Sequence, residues 1–450
     1  MPPRTFGVLA MYSFVVLGLP DGTIGTAWPA LRKGFGAPLD DLGIVLLVGT
    51  VGSVSSSSVA GLAFAHLGTR ATVMLAGTAG ALGALGMVLS PTFLAFVVSG
   101  AMIGVAAGLL DSTMNTSVAL TGRNRLLNML HGSYGVGTTL APLVVTAAVL
   151  AGSWRVSYVV VLGAELLLVG LWWVAGRAGP RLRRTPPEAS RLGSGGGGVP
   201  PPADGRALSS GHTTPSGNTA PPALGHAAPL GPGPAGTAVG TAPSSTAPSS
   251  TAPSSTAPSS TTGKGGRLRL ALAVGLGLAV FMVYTGFEVS AGQWEPSFDR
   301  GELHLGAGAT GLATFGYWGA LTLARFGLAL PRRPVPPVAV VRWGCLVAVG
   351  GAAMVWWRPA PVAALIGLVV VGAALAGVFP ALIALTPGRV GEDVAHHVIG
   401  WQIGAAGVGG SAISAAFGLI FQRFGLGQLG LALVVVALVL LAGILVLERM

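Results

Sequence analysis

The feature that most constrains this chain is a series of long apolar segments that recur from one end to the other. Each has about 20 residues or more, which is enough for a helix to cross a hydrocarbon layer of ~30 Å. Since backbone groups in lipid must be hydrogen bonded within the protein, we expect helices rather than the short alternating strands of a barrel. Twelve spans are predicted, at residues 6–31, 41–65, 71–89, 92–120, 126–151, 154–175, 268–292, 306–330, 338–357, 360–387, 395–421 and 426–447.

The scarcity of charge leads to the same interpretation. Charged residues make up 9% of the chain and the mean hydropathy is +0.73, whereas a soluble domain carries roughly 25% charged residues. Arg4 leads directly into the first span without a small-residue cleavage site, so we expect a retained helix rather than a removed signal peptide. The one cysteine, Cys345, cannot form an internal disulfide or a cysteine-based metal cluster and is expected to pack within a span.

A segment of different composition separates the first six spans from the last six. Residues 176–266 contain 16 of the 32 prolines and four tandem copies of Thr-Ala-Pro-Ser-Ser, and such a segment cannot bury enough apolar surface to offset its ordering entropy. We therefore expect a disordered cytoplasmic linker between an N-terminal six-helix bundle at 1–175 and a C-terminal bundle at 267–450. An all-α membrane protein with two pseudo-symmetric halves is typical of transporters, which bind substrate near the midplane.

The positions of the basic residues predict the orientation in the membrane. With both termini and the linker in the cytoplasm, 19 of the 25 Lys and Arg face the cytoplasm, as the positive-inside rule requires of a plasma (inner) membrane protein. The net charge of +11 then faces cytosol and lipid headgroups, so nucleic acid is not needed as a partner. The expected partners are the lipid bilayer, a small-molecule substrate and protons, with sodium as the alternative ion, and we expect a monomer.

Four carboxylates lie inside otherwise apolar segments: Asp21, Asp111, Glu165 and Glu288. No Lys or Arg is predicted at a comparable depth, and a bare charge at the centre of a bilayer costs at least ~2.5 kcal/mol. Each acid must therefore be protonated, face a wet cavity or bind a ligand. Glu165 has no polar company on its face and is expected to be structural, whereas the other three are candidates for proton coupling.

Two of these acids are predicted at different depths in the membrane. Asp21 directly follows Pro20 and is predicted near the midplane. Glu288 is predicted near the outer end of the seventh span, where Gly292 and Pro296 follow it. We expect the helix to break there, and a broken helix exposes backbone groups that can bind solutes or ions.

A polar cluster is predicted where the fourth and fifth spans meet. Asp111 and Asn115 are four residues apart and Asn128 and His131 are three apart, so each pair shares one helix face. Depths counted from the connecting turn place Asn115 and His131 level with each other. The cluster would bind substrate; alternatively, it would supply hydrogen bonds that only hold helices together.

Two further side chains are candidates for substrate binding. Trp318 lies near the middle of its span, whereas the other tryptophans fall toward span ends, and it is expected to stack on a substrate ring. Gln402 lies one turn into the eleventh span. No phosphate-binding loop or metal-ligand spacing is found, and His396-His397 is interpreted as part of a solvated loop. We therefore expect no enzyme activity, no cofactor and no metal.

Three stretches carry a resemblance to a known family: Gly104–Asn115, Asn128–Gly137 with Pro142, and Tyr284–Trp294 with Tyr317-Trp318-Gly319 and Arg325. They resemble the major facilitator superfamily, and within it the fucose permease-like branch of sugar–proton symporters. The resemblance implies the fold of that superfamily, and it implies that Asp111, the fourth-helix acid, takes part in proton coupling and sugar binding.

Two positions depart from the pattern of that family. The first-helix Asp of the family corresponds here to Gly25, and Asp21 lies one turn earlier. The stretch between the second and third spans keeps Gly68 and Arg70 but has Ala65 in place of an Asp, so the usual latch between helices is expected to be weakened.

The primary hypothesis is secondary active transport of a small polar solute by alternating access with proton coupling. A sugar is the favoured class of solute. Efflux of an amphipathic compound by proton antiport is the main alternative, and a non-transporting membrane sensor or an intramembrane enzyme is a third. The residues assigned to proton coupling are Asp111, Glu288 and Asp21. Those assigned to substrate binding are Asp111, Asn115, Asn128, His131, Glu288, Trp318 and Gln402.

Overall fold

The computed structural model describes residues 3–119, 124–177, 264–329 and 335–449, so most of the predicted linker lies outside the described residues. The described residues are almost entirely helical. The helices are α1 (Pro3–Phe35), α2 (Asp41–Leu89), α3 (Phe93–Ala119), α4 (Asn124–Leu150), α5 (Arg155–Arg177), α6 (Lys264–Gly301), α7 (Ala307–Ala329), α8 (Pro337–Trp357), α9 (Pro361–Leu375), α10 (Val378–Val390), α11 (Glu392–Phe424) and α12 (Leu429–Arg449), with a short 3-10 helix at Leu426–Gln428.

Within the described residues these helices make twelve membrane crossings. Ten stretches are long and apolar enough to cross a membrane. One of them is α2, whose 49 residues cross twice, and α7, with 23 residues, supplies the twelfth crossing. Helices α1–α5 form the N-terminal six-span bundle and α6–α12 the C-terminal one. The predicted all-α membrane fold of two six-helix bundles is therefore confirmed.

The second and third spans are joined by a kink rather than a loop. Gly68, with φ 75° and ψ 168°, interrupts the helical geometry of α2 without ending the helix. This region of backbone space is nearly restricted to glycine. Just beyond it, Arg70 donates hydrogen bonds to the carbonyls of Trp172 and Trp173 at 3.1 and 2.8 Å. These bonds tie α2 to the end of α5, although Ala65 stands where the family has an Asp.

The prediction of a helix break near Glu288 is wrong. Helix α6 continues to Gly301 with Pro296 inside it. Proline removes one backbone donor, but the remaining hydrogen bonds of a helix are strongly favoured in a membrane, where unpaired groups are costly. Glu288 therefore lies well inside the helix rather than at its outer end.

The helix directions define two sides of the molecule. Helices α1 and α6 begin, and α5 and α12 end, on one side, which is called the terminal side here; α6 ends on the opposite side. Glycines allow the helices to approach closely between these sides. A Cβ on Gly18 of α1 or on Gly137 of α4 would collide with the backbone of the other helix, at Tyr134 and Val15 respectively. This close packing places the polar side chains of α1 and α4 next to each other.

Candidate functional site

A cavity of about 320 Å³ lies between the two bundles. Helices α1 to α5 line it from the N-terminal bundle, and α6, α7 and α11 line it from the C-terminal bundle. Most of the lining is apolar, with many Gly, Ala, Leu and Val. The polar and aromatic side chains that line it are Asp21, Thr50, Ser53, Tyr134, Tyr158, Glu165, Thr285, Gln293, Trp318 and Ser411.

Asp21 is the predicted coupling acid that lines this cavity. Its side chain is exposed, and the hydroxyl of Tyr134 donates a hydrogen bond of 2.5 Å to its Oδ2. From the other bundle, Gln293 Nε2 donates to the backbone carbonyl of Asp21 at 2.8 Å. The acid therefore lies where the two bundles meet, in contact with the cavity.

Asp111 and Asn115 form the pair that their spacing predicts. Asn115 Nδ2 donates a hydrogen bond of 2.9 Å to Asp111 Oδ1, and both side chains are half-buried. Neither residue lines the cavity, but Asp111 follows the cavity-lining Ala107 by one helical turn toward the terminal side. The pair is therefore placed next to the cavity on the same face of α3.

The described contacts of His131 are with α1 and α7. Its imidazole is exposed and packs edge-on against Phe14 of α1, with ring centroids 5.6 Å apart. Arg325 of α7 lies within electrostatic range of it. The side chain of Asn128 lies outside the described residues. Of the four predicted members, Asp111 and Asn115 are the two that the described structure brings together.

The expectation that no basic residue lies deep enough to pair with the buried acids is wrong for Glu288. Arg325 Nη2 lies 3.1 Å from both carboxylate oxygens of Glu288. Tyr284 also donates to this carboxylate and lies one turn away on α6. The apolar stretch of α7 continues beyond Arg325, to Ala329. Arg325 therefore lies deeper in the membrane than a residue at the terminal-side end of the span. Glu288 is thus a paired, largely buried carboxylate beside the cavity.

The two remaining candidates lie in different places. Trp318 lines the cavity, is 4% exposed and packs edge-on against Tyr317 with centroids 5.1 Å apart. Gln402 does not line this cavity. It is buried within the C-terminal bundle, where the hydroxyl of Thr386 donates to its Oε1 at 3.0 Å.

Sequence reasoning did not single out Tyr134 or Gln293. Tyr134 lies 113 positions from Asp21, and Gln293 approaches from the other bundle, so spacing along one helix does not reveal either contact. A signal was nevertheless present, because both residues fall within the stretches that carry the family resemblance.

The sequence model of the Major Facilitator Superfamily matches residues 10–414, which covers both bundles. This chain belongs to the major facilitator superfamily. Among its curated relatives is Bypass of stop codon protein 6 of Saccharomyces cerevisiae (strain ATCC 204508 / S288c), 27% identical over 156 residues. The alignment covers 34% of this chain and 31% of the yeast protein, so the chain matches about a third of that relative's length.

Solved structures of several transporters share the fold of this superfamily member. The nucleoside transporter NupG superposes with a TM-score of 0.65 at 12% identity, with 99% of each chain covered. The xylose transporter XylE from E. coli gives 0.62 at 13% identity, again with 99% of each chain covered. The E. coli fucose:proton symporter FucP gives 0.55 at 16% identity, with 98% of this chain and 97% of that chain covered. At these identities the likeness concerns the fold alone.

Proposed function

We propose that this superfamily member moves a small polar solute, and specifically a sugar, across the membrane by alternating access coupled to protons. The observation that carries the proposal is a cavity between the bundles that two carboxylates line, of which Asp21 is exposed and Glu165 is 4% exposed. Tyr134 donates a hydrogen bond to the Asp21 carboxylate, and Gln293 binds the backbone of the same residue. A group that both binds a proton and contacts the solute can couple the two equilibria.

The lining fits the recognition of a hydroxylated ring. Trp318 offers an aromatic face, and the hydroxyls of Thr50, Ser53 and Ser411 are distributed around the cavity. An aromatic platform with a few convergent polar groups is a common way to orient a small polar ligand. The shared fold with a fucose:proton symporter is in keeping with this class of substrate.

The two acids of the N-terminal bundle receive different roles in this proposal. Asp21 is the proton-binding group in contact with the solute, whereas Asp111, with Asn115, accepts a proton on the terminal-side flank of the cavity. Binding a proton removes the cost of carrying a bare carboxylate through the occluded state. Coupling then requires that the outward-facing and inward-facing states bind proton and solute with different free energies.

The remaining residues take supporting roles. Glu288 is paired with Arg325 beside the cavity, and this ion pair is proposed to rearrange when the two bundles move relative to each other. Asn128, His131 and Gln402 remain substrate-binding proposals to be tested singly. We further propose a monomer in the plasma membrane with the terminal side in the cytoplasm, and bundle boundaries near 1–175 and 267–450.

The decisive experiment uses the full chain in proteoliposomes with radiolabelled D-xylose, L-fucose and D-glucose. We expect Asp21→Asn to abolish pH-gradient-driven accumulation while solute counterflow persists, because the neutral amide no longer binds a proton. Asp111→Asn should reduce accumulation in the same way. Glu392→Gln, at the exposed start of α11 and away from the cavity, is the matched control. Accumulation by Asp21→Asn at the wild-type level would refute the coupling role of Asp21. Accumulation driven by a sodium gradient would show that sodium, rather than the proton, is the coupling ion.

The predominantly apolar lining favours a second candidate, the efflux of an amphipathic compound. Apolar walls stabilise a ligand with a substantial apolar surface, which a sugar lacks. Efflux predicts resistance to such compounds on expression and proton-dependent outward flux from loaded vesicles, with no sugar counterflow. Saturable binding of a compound without any flux would instead support a sensor.

A further inference from the structure

Helix α6 carries a second pair of buried acids that the proposed site does not use. Glu295 and Asp299 are four residues apart, so they lie on one face of the helix. Both residues are 0% exposed. Neither lines the cavity between the bundles. They are buried in the interior of the C-terminal bundle, toward the opposite side.

These two carboxylates have no hydrogen-bond partner in the part of the chain that the structure describes. All four of their oxygens are buried and unpartnered. The basic residues that pair with the neighbouring acids Glu288 and Glu302 are already engaged. Arg325 is bound to Glu288 at 3.1 Å, and Arg358 lies 3.6 Å from Glu302. Two ionised carboxylates this close together and without water or a cation would be strongly disfavoured.

The face of α6 that carries the pair is turned toward α7. On that face, Tyr317 donates from its hydroxyl to the Glu288 carbonyl at 2.7 Å. Closer to the helix end, Leu305 N donates to the Asp299 carbonyl at 2.9 Å. A Cβ on Gly292, between these two points, would press against the ring of Tyr317. The two hydrogen bonds set an antiparallel register between the helices, in which Glu288 is level with Tyr317 and Asp299 with Leu305.

This register places one threonine of α7, Thr310, level with Glu295, and Thr314 one turn closer to the membrane centre. Both threonines share a helix face with Tyr317. Both are buried. Thr314 donates its hydroxyl to the Thr310 carbonyl at 3.1 Å, whereas the hydroxyl oxygen of Thr310 is itself buried without a partner. The α7 group level with Glu295 is therefore a neutral hydroxyl.

The charged and titratable groups around the pair are few. On α7 the facing titratable group is Tyr317, which lies within electrostatic range of Glu295. On α6 itself, Glu288 lies on the same face toward the membrane centre, and Glu302 directly follows the last residue of the helix. Arg358, on the connection between α8 and α9, is close to Glu302 and packs over the Phe298 ring. None of these supplies a positive charge to the pair.

We propose that Glu295 and Asp299 form a proton-binding site within the C-terminal bundle, separate from the cavity. One proton on a carboxylate oxygen converts that group to a neutral acid, whose O–H can donate to the other carboxylate; a second proton neutralises the pair. A divalent metal is a poor fit, because the described residues hold no group of three or more acid, His or Cys ligands. The site goes beyond the proposed function and does not depend on which solute is moved.

Infrared spectroscopy of the purified full chain in lipid nanodiscs tests this site without a substrate. At a pH of about 7, exposed carboxyl groups are ionised. We expect the difference spectrum between wild type and Glu295→Gln/Asp299→Asn to contain a protonated-acid C=O band that shifts in heavy water. Glu302→Gln, which removes the acid that pairs with Arg358 just beyond the end of α6, is the matched control and should remove an ionised carboxylate band instead. Loss of two ionised carboxylate bands in the double variant would overturn the proposal.

Thermal stability supplies a second readout that does not require the double variant to fold. A neutral amide replaces a neutral acid in Glu295→Gln and in Asp299→Asn, so each single variant should melt close to the wild type. The wild type should also melt at the same temperature in sodium chloride and in choline chloride. A rise in melting temperature with sodium that is present in the wild type and absent from Glu295→Gln and Asp299→Asn would mean that the pair binds this cation rather than a proton, and the proposal would fail. If no variant folds, absence of the acid C=O band from the wild type at about pH 7 would refute it as well.

Discussion

Asp21 and Glu288 differ in what they can do because their partners differ. Asp21 is exposed to the cavity and accepts its hydrogen bond from a neutral phenol, Tyr134. Its charge can therefore be removed by a proton without leaving an opposite charge behind. Glu288 faces the guanidinium of Arg325 at 3.1 Å, and protonation there would leave a buried cation. Proton coupling consequently fits Asp21 better than Glu288 at the level of single residues.

The Glu288–Arg325 pair yields an asymmetric stability prediction. Glu288→Gln leaves a guanidinium that cannot lose its proton in a protein, and we expect a loss of about 3–5 kcal/mol, the range for breaking a buried ion pair. Arg325→Met should cost less, because the remaining carboxylate can take up a proton. Melting temperatures of the purified variants in detergent test the order.

The double variant Glu288→Gln/Arg325→Met is the control for this pair, because it leaves no unpaired charge. It should recover much of the stability lost in Glu288→Gln, which a double-mutant cycle measures. Strictly additive losses, or a larger loss in Arg325→Met than in Glu288→Gln, would contradict the assigned interaction.

At the scale of elements, the packing of α2 against α3 depends on glycines that leave no room for a side chain. A Cβ on Gly104 would collide with the backbone of Gly49, and one on Gly108 with the backbone of Ser53. These glycines are four residues apart on α3, the spacing that lets membrane helices approach closely. The cavity face of α3, which includes Ala107, is held in place by this contact.

We therefore expect Gly104→Ala to destabilise the protein by about 1–3 kcal/mol, as overpacking of a close-packed interior does. Gly163→Ala is the matched control, since Gly163 lies inside α5 with nothing within 4 Å of an added Cβ. It should leave stability unchanged or raise it by up to ~1 kcal/mol, because alanine favours the helix. Unfolding followed by intrinsic tryptophan fluorescence compares the two, and an equal effect of both substitutions would argue against the glycine contact.

The elements also show which parts of this structure could be predicted from the sequence. Hydropathy predicts the twelve spans because each must match the same hydrocarbon thickness. The Asp111–Asn115 hydrogen bond follows from a four-residue spacing. The break predicted near Glu288 gave too much weight to Pro296, because local propensity was overridden by the helix that continues around it. That error also placed Glu295 and Asp299 outside the membrane, where their burial could not be foreseen.

Contacts between different helices could not be predicted from the sequence, and the reason is physical. The Tyr134–Asp21 and Arg325–Glu288 bonds depend on how deep each helix sits and how it is rotated about its axis. Hydropathy fixes depth only to within about a helical turn, and a weak apolar stripe does not fix rotation. Arg325 illustrates the limit, since it is one of the 19 basic residues counted on the cytoplasmic side and yet pairs with Glu288 inside the bundle.

At the scale of the whole molecule, the two bundles are held together on the side opposite the terminal side. There, Leu39 N donates to Gln422 Oε1 at 3.1 Å, and a Cβ on Gly43 would press against Ala415. The cavity lies between these contacts and the terminal side. Alternating access requires this closed end to separate so that the cavity can be reached from the opposite side.

A disulfide across the closed end should therefore stop transport. The backbone of Asp40 lies against Gly418, with an ideal Cβ on Gly418 only 3.3 Å from the Asp40 Cβ, which is close to the Cβ separation of about 3.5–4.5 Å in disulfides. We expect Asp40→Cys/Gly418→Cys to cross-link under mild oxidation and to lose solute counterflow in proteoliposomes, with recovery after reduction. Each single-cysteine variant is the control, because the native Cys345 is buried and cannot substitute for the missing partner. Counterflow that continues in the fully cross-linked protein would mean that this end of the bundles need not open, and alternating access between these two bundles would have to be abandoned.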